Sequence, residues 1–70
     1  MNYKPILIAS RDVPEIGIHV VEGMYIDLEI FPRNGMLYAR LSKLISFEKW
    51  EVPLALVAQL HQDQVLRLRT

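Results

Sequence analysis

The side chains that could do chemistry in this chain are few, and its two histidines, His19 and His61, lie far apart in the sequence. No spacing typical of a metal site joins them, and His61 ends a predicted helix, where an imidazolium is stabilised by the helix dipole. The chain has no cysteine. This excludes disulfides, thiolate catalysis and cysteine-ligated zinc or iron–sulfur centres. We therefore expect no metal ion and no cofactor.

Carboxylates and serines give no stronger sign of catalysis. Asp27 and Glu29 lie on one face of a predicted strand, as a general acid–base pair would require. In the predicted hairpin, however, Glu29 faces Arg40 and Asp27 faces Ser42, so a solvated cross-strand network is the better interpretation. No serine lies in a G-x-S-x-G or S-x-x-K motif, and no glycine-rich run opens a helix to hold a phosphate. The sequence predicts that the protein is not an enzyme.

Cationic and aromatic side chains remain, and nucleic-acid-binding proteins use both, since bases stack on rings while cations contact phosphates. The residues that could contact a partner or a nucleic acid in this way are Phe31, Tyr38, Arg40, Lys43, Lys49, Arg67 and Arg69. Against this use, Asp27 and Glu29 share the predicted face of the aromatic rings and would repel phosphates. The eight Lys and Arg residues are also balanced by eight Asp and Glu. Nucleic-acid binding is therefore an alternative that the sequence does not favour.

A β-hairpin is the clearest element that positions these side chains. Two alternating runs between residues 24 and 42 flank Asn34-Gly35, a dipeptide that favours the positive φ angles of a two-residue type I′ turn. The turn pairs Arg33 with Met36 and fixes the rest of the register. Ile26, Leu28, Ile30, Leu37, Ala39 and Leu41 then form an apolar face. The opposite face carries Asp27, Glu29, Phe31, Tyr38, Arg40 and Ser42.

The remaining segments predict one domain over residues 1–70. Residues 3–10, 17–21 and 65–69 have the composition of strands, whereas residues 43–50 are ambiguous between an irregular strand and a connection. Residues 53–61 favour a short apolar helix. The predicted order is β-β-β-β-α-β. The fold class is α+β, a small curved, mostly antiparallel sheet or open barrel with one helix.

The predicted helix has almost no polar face, because the run VPLALVAQL over residues 52–60 contains one polar side chain. A domain of this size buries only roughly 60–65% of its unfolded surface, so it has difficulty covering such a helix on all sides. We therefore expect a homodimer. The residues expected at its interface are Trp50, Leu54, Leu56, Val57 and Leu60.

Apolar runs in this sequence are too short for a signal peptide or a membrane span. The run Ile6 to Ala9 is shorter than the roughly 7–15 apolar residues of a signal sequence. We expect a cytoplasmic protein without a membrane partner.

Two local patterns resemble known families. The run Ile6 to Arg11, followed by antiparallel strands, an Asn-Gly turn and a late helix, loosely resembles the carbon-storage-regulator (CsrA-like) translational repressors, which are β-rich dimers that bind RNA. Here one arginine stands where that family has two, and Trp50 to Leu54 replaces its Val-His-Arg-Glu-Glu entry to the helix. Residues 12–17 are similar to the Asp-x-Ser-x-x-Gly signature of PilZ cyclic-dinucleotide receptors, with Pro14 in the serine position. Neither pattern assigns a family.

The absence of catalytic motifs and the surplus of apolar side chains together predict a function class. We expect a non-enzymatic regulatory or interaction protein that acts as a homodimer on a protein partner. The alternative is a small RNA- or DNA-binding regulator, for which the first resemblance implies RNA. A small-molecule binder has no supporting motif.

Overall fold

A five-stranded antiparallel sheet with one helix on one face makes up the fold. The computed structural model describes residues 5–69. Its elements are β1 (Ile6–Ala9), β2 (Tyr25–Arg33), β3 (Met36–Lys43), β4 (Lys49–Pro53), α1 (Leu54–Gln62) and β5 (Leu66–Leu68). The strands are ordered β4-β3-β2-β1-β5, and the sheet does not close into a barrel. The α+β prediction is therefore confirmed in its open-sheet form.

The hairpin of β2 and β3 has the predicted register at every pair from Arg33 opposite Met36 to Asp27 opposite Ser42. Asn34 and Gly35 have φ angles of 52° and 78°, as a type I′ turn requires. Because successive strand residues point to opposite faces, this register also fixes the apolar and polar faces of the sheet.

The prediction of a strand over residues 17–21 is wrong. The segment belongs to a run of turns, in which the Val13 amide donates to the Val20 carbonyl and the Val20 amide donates to the Gly17 carbonyl. Gly17 lies so close to the Trp50 indole that a Cβ atom there would overlap the ring. Val13 and Val20 are buried beneath these turns. The apolar residues that suggested a strand in this segment therefore belong to a folded loop that packs on the core.

The remaining strand of the sheet is β4, which includes the end of the ambiguous segment 43–50 and the residues that follow it. A turn occupies the part before Lys49, and β4 then pairs with β3, with Trp50 opposite Leu41 and Val52 opposite Ala39. The other bounds differ little from those predicted. Strand β1 was predicted from residue 3, and residues 3 and 4 lie outside the described residues.

Helix α1 packs on the apolar face of its own sheet. Val57 and Leu60 are 4% exposed, and Leu54 and Leu56 are partly buried against the same core. Its exposed side carries small or polar residues, namely Ala55, Ala58, Gln59, His61 and Gln62. The expectation that one chain cannot cover this helix is thus corrected, because the exposed apolar positions are alanines, which leave little surface to hide.

The helix is too short to cover the sheet face along its whole length. Its nine residues span about 13 Å at ~1.5 Å per residue, whereas the eight residues of β3 span about 27 Å at ~3.4 Å per residue. Near the hairpin turn, Ile30 is 51% and Leu37 is 54% exposed, although both lie on the predicted core face. Helix α1 does not extend far enough to cover that part of the face.

Replacing Gly35 with valine should destabilise the protein by more than ~1 kcal/mol, because a β-branched residue is strained at a positive φ. No other atom lies within 4 Å of the position of a Cβ there, so the cost comes from the backbone alone. Gly35→Asn is the matched control, since asparagine tolerates this conformation. Urea unfolding measures both. An equal midpoint for the two variants would contradict the turn assignment.

Candidate interaction surfaces

The face of the sheet opposite the helix, here called the outer face, carries most of the predicted contact residues. By strand register it holds Phe31, Tyr38, Arg40, Lys49, Arg67 and Arg69. Lys43 is the exception. It is the last residue of β3, and its register position opposite Ile26 places it on the helix side of the sheet. Its Nζ is 3.4 Å from Glu48 Oε1.

An ion-pair ladder crosses three strands of the outer face. Arg40 donates from Nη1 to Glu29 Oε1 at 2.6 Å and from Nε to Glu51 Oε2 at 3.0 Å. Arg33 donates to Glu51 Oε1 at 2.6 Å. Hydrogen bonds from Arg33 and Arg40 hold the pKa of the Glu51 carboxyl below its usual 4.5. The predicted pairing of Glu29 with Arg40 is confirmed, and the Arg40 charge is compensated by two carboxylates.

The aromatic pair of this face is engaged by the chain's own arginines. The Phe31 and Tyr38 rings stack with centroids 6.1 Å apart. The Arg33 guanidinium lies 5.1 Å from the Phe31 centroid and 5.2 Å from that of Tyr38, and Arg40 lies 4.7 Å from Phe31. A nucleic-acid base would have to displace these cation–π contacts before it could stack there.

The cations near the two edges of the outer face are less constrained. Arg67 donates to the Gln64 side chain at 3.1 Å, and the Arg69 guanidinium lies 5.1 Å from the Tyr25 ring centroid. Within residues 5–69, no ion pair includes Arg67, Arg69 or Lys49. Among the described residues, these three side chains are the cations most available to an anionic partner.

Two loops at one end of the sheet carry the most exposed large apolar side chains among residues 5–69. Phe47 is 99% and Ile45 is 97% exposed in the turn between β3 and β4, and Ile18 is 83% exposed in the loop between β1 and β2. His19 Nδ1 lies 2.8 Å from Glu48 Oε2, which joins the two loops. We call the exposed apolar set the loop patch. It consists of Ile18, Val21, Leu44, Ile45 and Phe47.

A groove of about 480 Å³ runs beside the loop patch. One wall is the segment 21–25, and the other is the segment 43–46. The lining is mostly apolar and includes Val21, Met24, Tyr25 and Leu44, with Glu22 and Lys43 as its charged residues. The patch therefore combines protruding apolar side chains with an apolar depression.

A second apolar surface lies beside α1 on the helix side of the sheet. A cleft of about 170 Å³ is lined by Leu7, Leu28, Leu54, Val57, Ala58, His61 and Leu68. Ile30 and Leu37 extend the apolar surface from Leu28 toward the hairpin turn. His61 Nδ1 donates to the Leu66 carbonyl at 2.9 Å, so its ring is held at the end of the helix. We call Leu28, Ile30, Leu37, Leu54 and Leu68 the helix-flank surface.

The structure separates the five predicted interface residues into two groups. Val57 and Leu60 belong to the core, whereas Leu54, Leu56 and Trp50 are partly buried. Contact of the second group with a partner stays a prediction. Sequence reasoning missed the loop patch, and the only signal for it was the apolar content of Leu44 to Phe47 in a segment without a clear strand pattern.

Residues 5–69 contain no group of three His, Cys, Asp or Glu side chains that could hold a metal ion. Among the same residues, no helix has the length and apolar character needed to cross a membrane. Comparison of the chain with protein-family models, with curated proteins and with solved structures finds no match.

Replacing Glu51 with glutamine should lower the urea midpoint at pH 7, because Arg33 and Arg40 lose their shared carboxylate. The folded-state pKa of Glu51 is depressed, so its contribution is present above pH 4.5 and is lost as the pH falls through that depressed value. The difference between wild type and variant should therefore shrink as the Glu51 carboxyl becomes protonated in acid. Glu22→Gln is the control, since Glu22 takes part in none of the described ion pairs. A difference that persists in acid would contradict the ladder.

Proposed function

We propose that the protein is a non-enzymatic interaction module that acts as a homodimer on a protein partner. The observation that supports this most strongly is the presence of two separate apolar surfaces, the loop patch and the helix-flank surface. Leu37 and Leu44 lie near opposite ends of β3, on the order of 20 Å apart at ~3.3 Å per residue. A module that binds both a second copy and a different protein needs two such surfaces.

The amount of exposed apolar surface supports binding rather than a purely structural role. Monomeric soluble proteins rarely expose contiguous apolar patches above a few hundred Å². Among residues 5–69, ten large apolar side chains are 41–99% exposed, outside the buried core cluster. Large exposed apolar patches mark interaction sites, and protein–protein interfaces are among them.

The helix-flank surface fits one apolar side chain of a partner protein. Its cleft of about 170 Å³ is close to the roughly 150 Å³ that accommodates a benzene ring. The lining offers almost no free polar group, because the Nδ1 of His61 is already bonded to Leu66. The partner segment is therefore one that presents a large aliphatic or aromatic side chain, with Ile30 and Leu37 beside it.

The second candidate function is binding of RNA or DNA through the outer face. It is favoured by one observation, the absence of carboxylate partners for Lys49, Arg67 and Arg69 among the described residues. It ranks below protein binding because the ladder neutralises Arg40 and the aromatic pair is covered. A cytoplasmic location accords with a chain that has no cysteine.

Leu37→Gln should abolish capture of the partner protein from an extract of the native host, whereas Met36→Gln should leave it unchanged. The two residues are neighbours in β3 with similar exposure, 54% and 58%, but they point to opposite faces of the sheet. Quantitative mass spectrometry of the captured proteins measures the effect. Loss with both variants, or with neither, would contradict a partner site at the helix-flank surface.

Random single-stranded RNA or DNA should show no binding in a fluorescence-anisotropy titration at ~150 mM salt, because the formal net charge is zero and the outer-face ladder is internally neutralised. The double variant Arg67→Ala with Arg69→Ala is the control. Two results together would favour nucleic-acid binding over protein binding. The wild type would bind with sub-micromolar affinity that falls log-linearly with salt, and the double variant would show a salt slope smaller by about two phosphate contacts.

A further inference from the structure

We infer that the loop patch is the seam of the homodimer, and that Phe47 of each copy enters the groove beside the loop patch of the other copy. This inference rests on the proposed homodimer and assigns a surface to it. It differs from the interface expected at the helix, where Val57 and Leu60 are already buried within one chain.

A two-fold interface must be self-complementary, since the same surface is presented by both copies. The loop patch meets this condition. Phe47 and Ile45 protrude almost fully exposed, and the groove with its walls at residues 21–25 and 43–46 lies next to them. One rotation axis through the patch can therefore place a protruding side chain of each copy into the groove of the other.

The groove has the capacity for this contact. A cavity of roughly 150 Å³ accommodates a benzene ring, and the groove encloses about 480 Å³. It thus has room for the Phe47 ring of a second copy and for a further apolar side chain. Val21, Met24 and Leu44 supply the apolar walls that such a ring requires.

The exposed area is close to what a stable dimer needs. The five side chains of the loop patch are 41–99% exposed. Only Phe47 is aromatic, so at roughly 150 Å² per side chain, the lower limit for an aromatic residue, the patch presents on the order of 500 Å² of apolar surface. A standard interface buries about 800 Å² per partner, and the polar rim of the patch supplies the remainder.

The turn that carries Phe47 is already built in the single chain. The Lys43 amide donates to the Glu48 carbonyl at 3.2 Å, and the Glu48 amide donates to Ser46 Oγ at 3.1 Å. Glu48 also contacts His19 and Lys43 through its carboxylate. Because these bonds fix the loop before association, little conformational entropy is lost when two copies meet.

Net charge does not oppose the contact, and the exposed Glu22 is the charged lining residue of the groove that has no described ion pair. The formal net charge of the chain is zero, so two copies have no net repulsion. At the patch, the Glu48 carboxylate is compensated by Lys43 and by His19 when that ring is protonated. Burial of the apolar side chains therefore leaves no unpaired charge from this cluster inside the seam.

The oligomeric state tests the inference directly. Light scattering during size exclusion should give wild type twice the chain mass of 8.1 kDa at tens of micromolar. The double variant Ile45→Ser with Phe47→Ser should weaken the dimer roughly 30-fold or more and elute as a monomer. Its urea midpoint should match that of a wild-type sample diluted to monomer, because both side chains are exposed. Leu37→Gln, at the other apolar surface, should remain dimeric.

Cross-linking tests the proposed insertion. Since the chain has no cysteine, a mixture of the variants Phe47→Cys and Val21→Cys should form a disulfide between copies under mild oxidation. Met36→Cys is the control on the outer face. Cross-linking of the mixture no greater than that of the control would overturn the insertion of Phe47 into the groove.

The outcomes separate this inference from the proposed function. A wild-type dimer that persists in the double serine variant would overturn the loop-patch seam and leave the homodimer standing. A wild-type monomer at ~1 mM would overturn both the seam and the homodimer. Capture of the partner protein by wild type, with its loss in Leu37→Gln, would still support the interaction module in either case.

Discussion

This structure depends on one constraint: the short connection from β4 to β5 must cover one face of the sheet. The chain leaves the sheet at β4, one edge, and returns at β5, the other edge, so α1 must cross the face between them. Nine residues make that crossing but cannot cover the face from end to end. The folded loop between β1 and β2 covers a second part, with Val13 and Val20 buried beneath it and Gly17 against Trp50. Apolar surface remains exposed where neither element reaches.

On the outer face, no layer formed by residues 5–69 packs against the sheet. Cross-strand contacts between side chains take the place of a second layer, and the ladder of Arg33, Glu51, Arg40 and Glu29 links β2, β3 and β4. The stacked aromatic pair lies beneath the arginine side chains. Surface pairs of this kind contribute modestly one by one and more as a network. They also engage the arginine and aromatic side chains that a nucleic acid would have to contact on this face.

The incomplete coverage of the helix-side face also accounts for the two surfaces on which the proposed function depends. Elements that complete the core leave the helix-flank surface at the hairpin end and the loop patch at the other end of β3. Each has a depression lined by apolar side chains and a set of exposed side chains beside it. A short chain with two such surfaces can join a second copy and a different protein without competition between the two contacts.

Local patterns in the sequence determined the hairpin, its register, the two faces of β2 and β3, and the position of the helix. These features depend on neighbouring residues, since Asn34-Gly35 selects the turn and strict alternation selects the faces. Tertiary structure alone decided which apolar residues are covered. Ile30 and Leu37 follow the core pattern yet are exposed, Val57 and Leu60 are covered by their own sheet, and Phe47 protrudes from a turn. The fate of each depends on which distant element packs over it, and neither periodicity nor turn propensity carries that information.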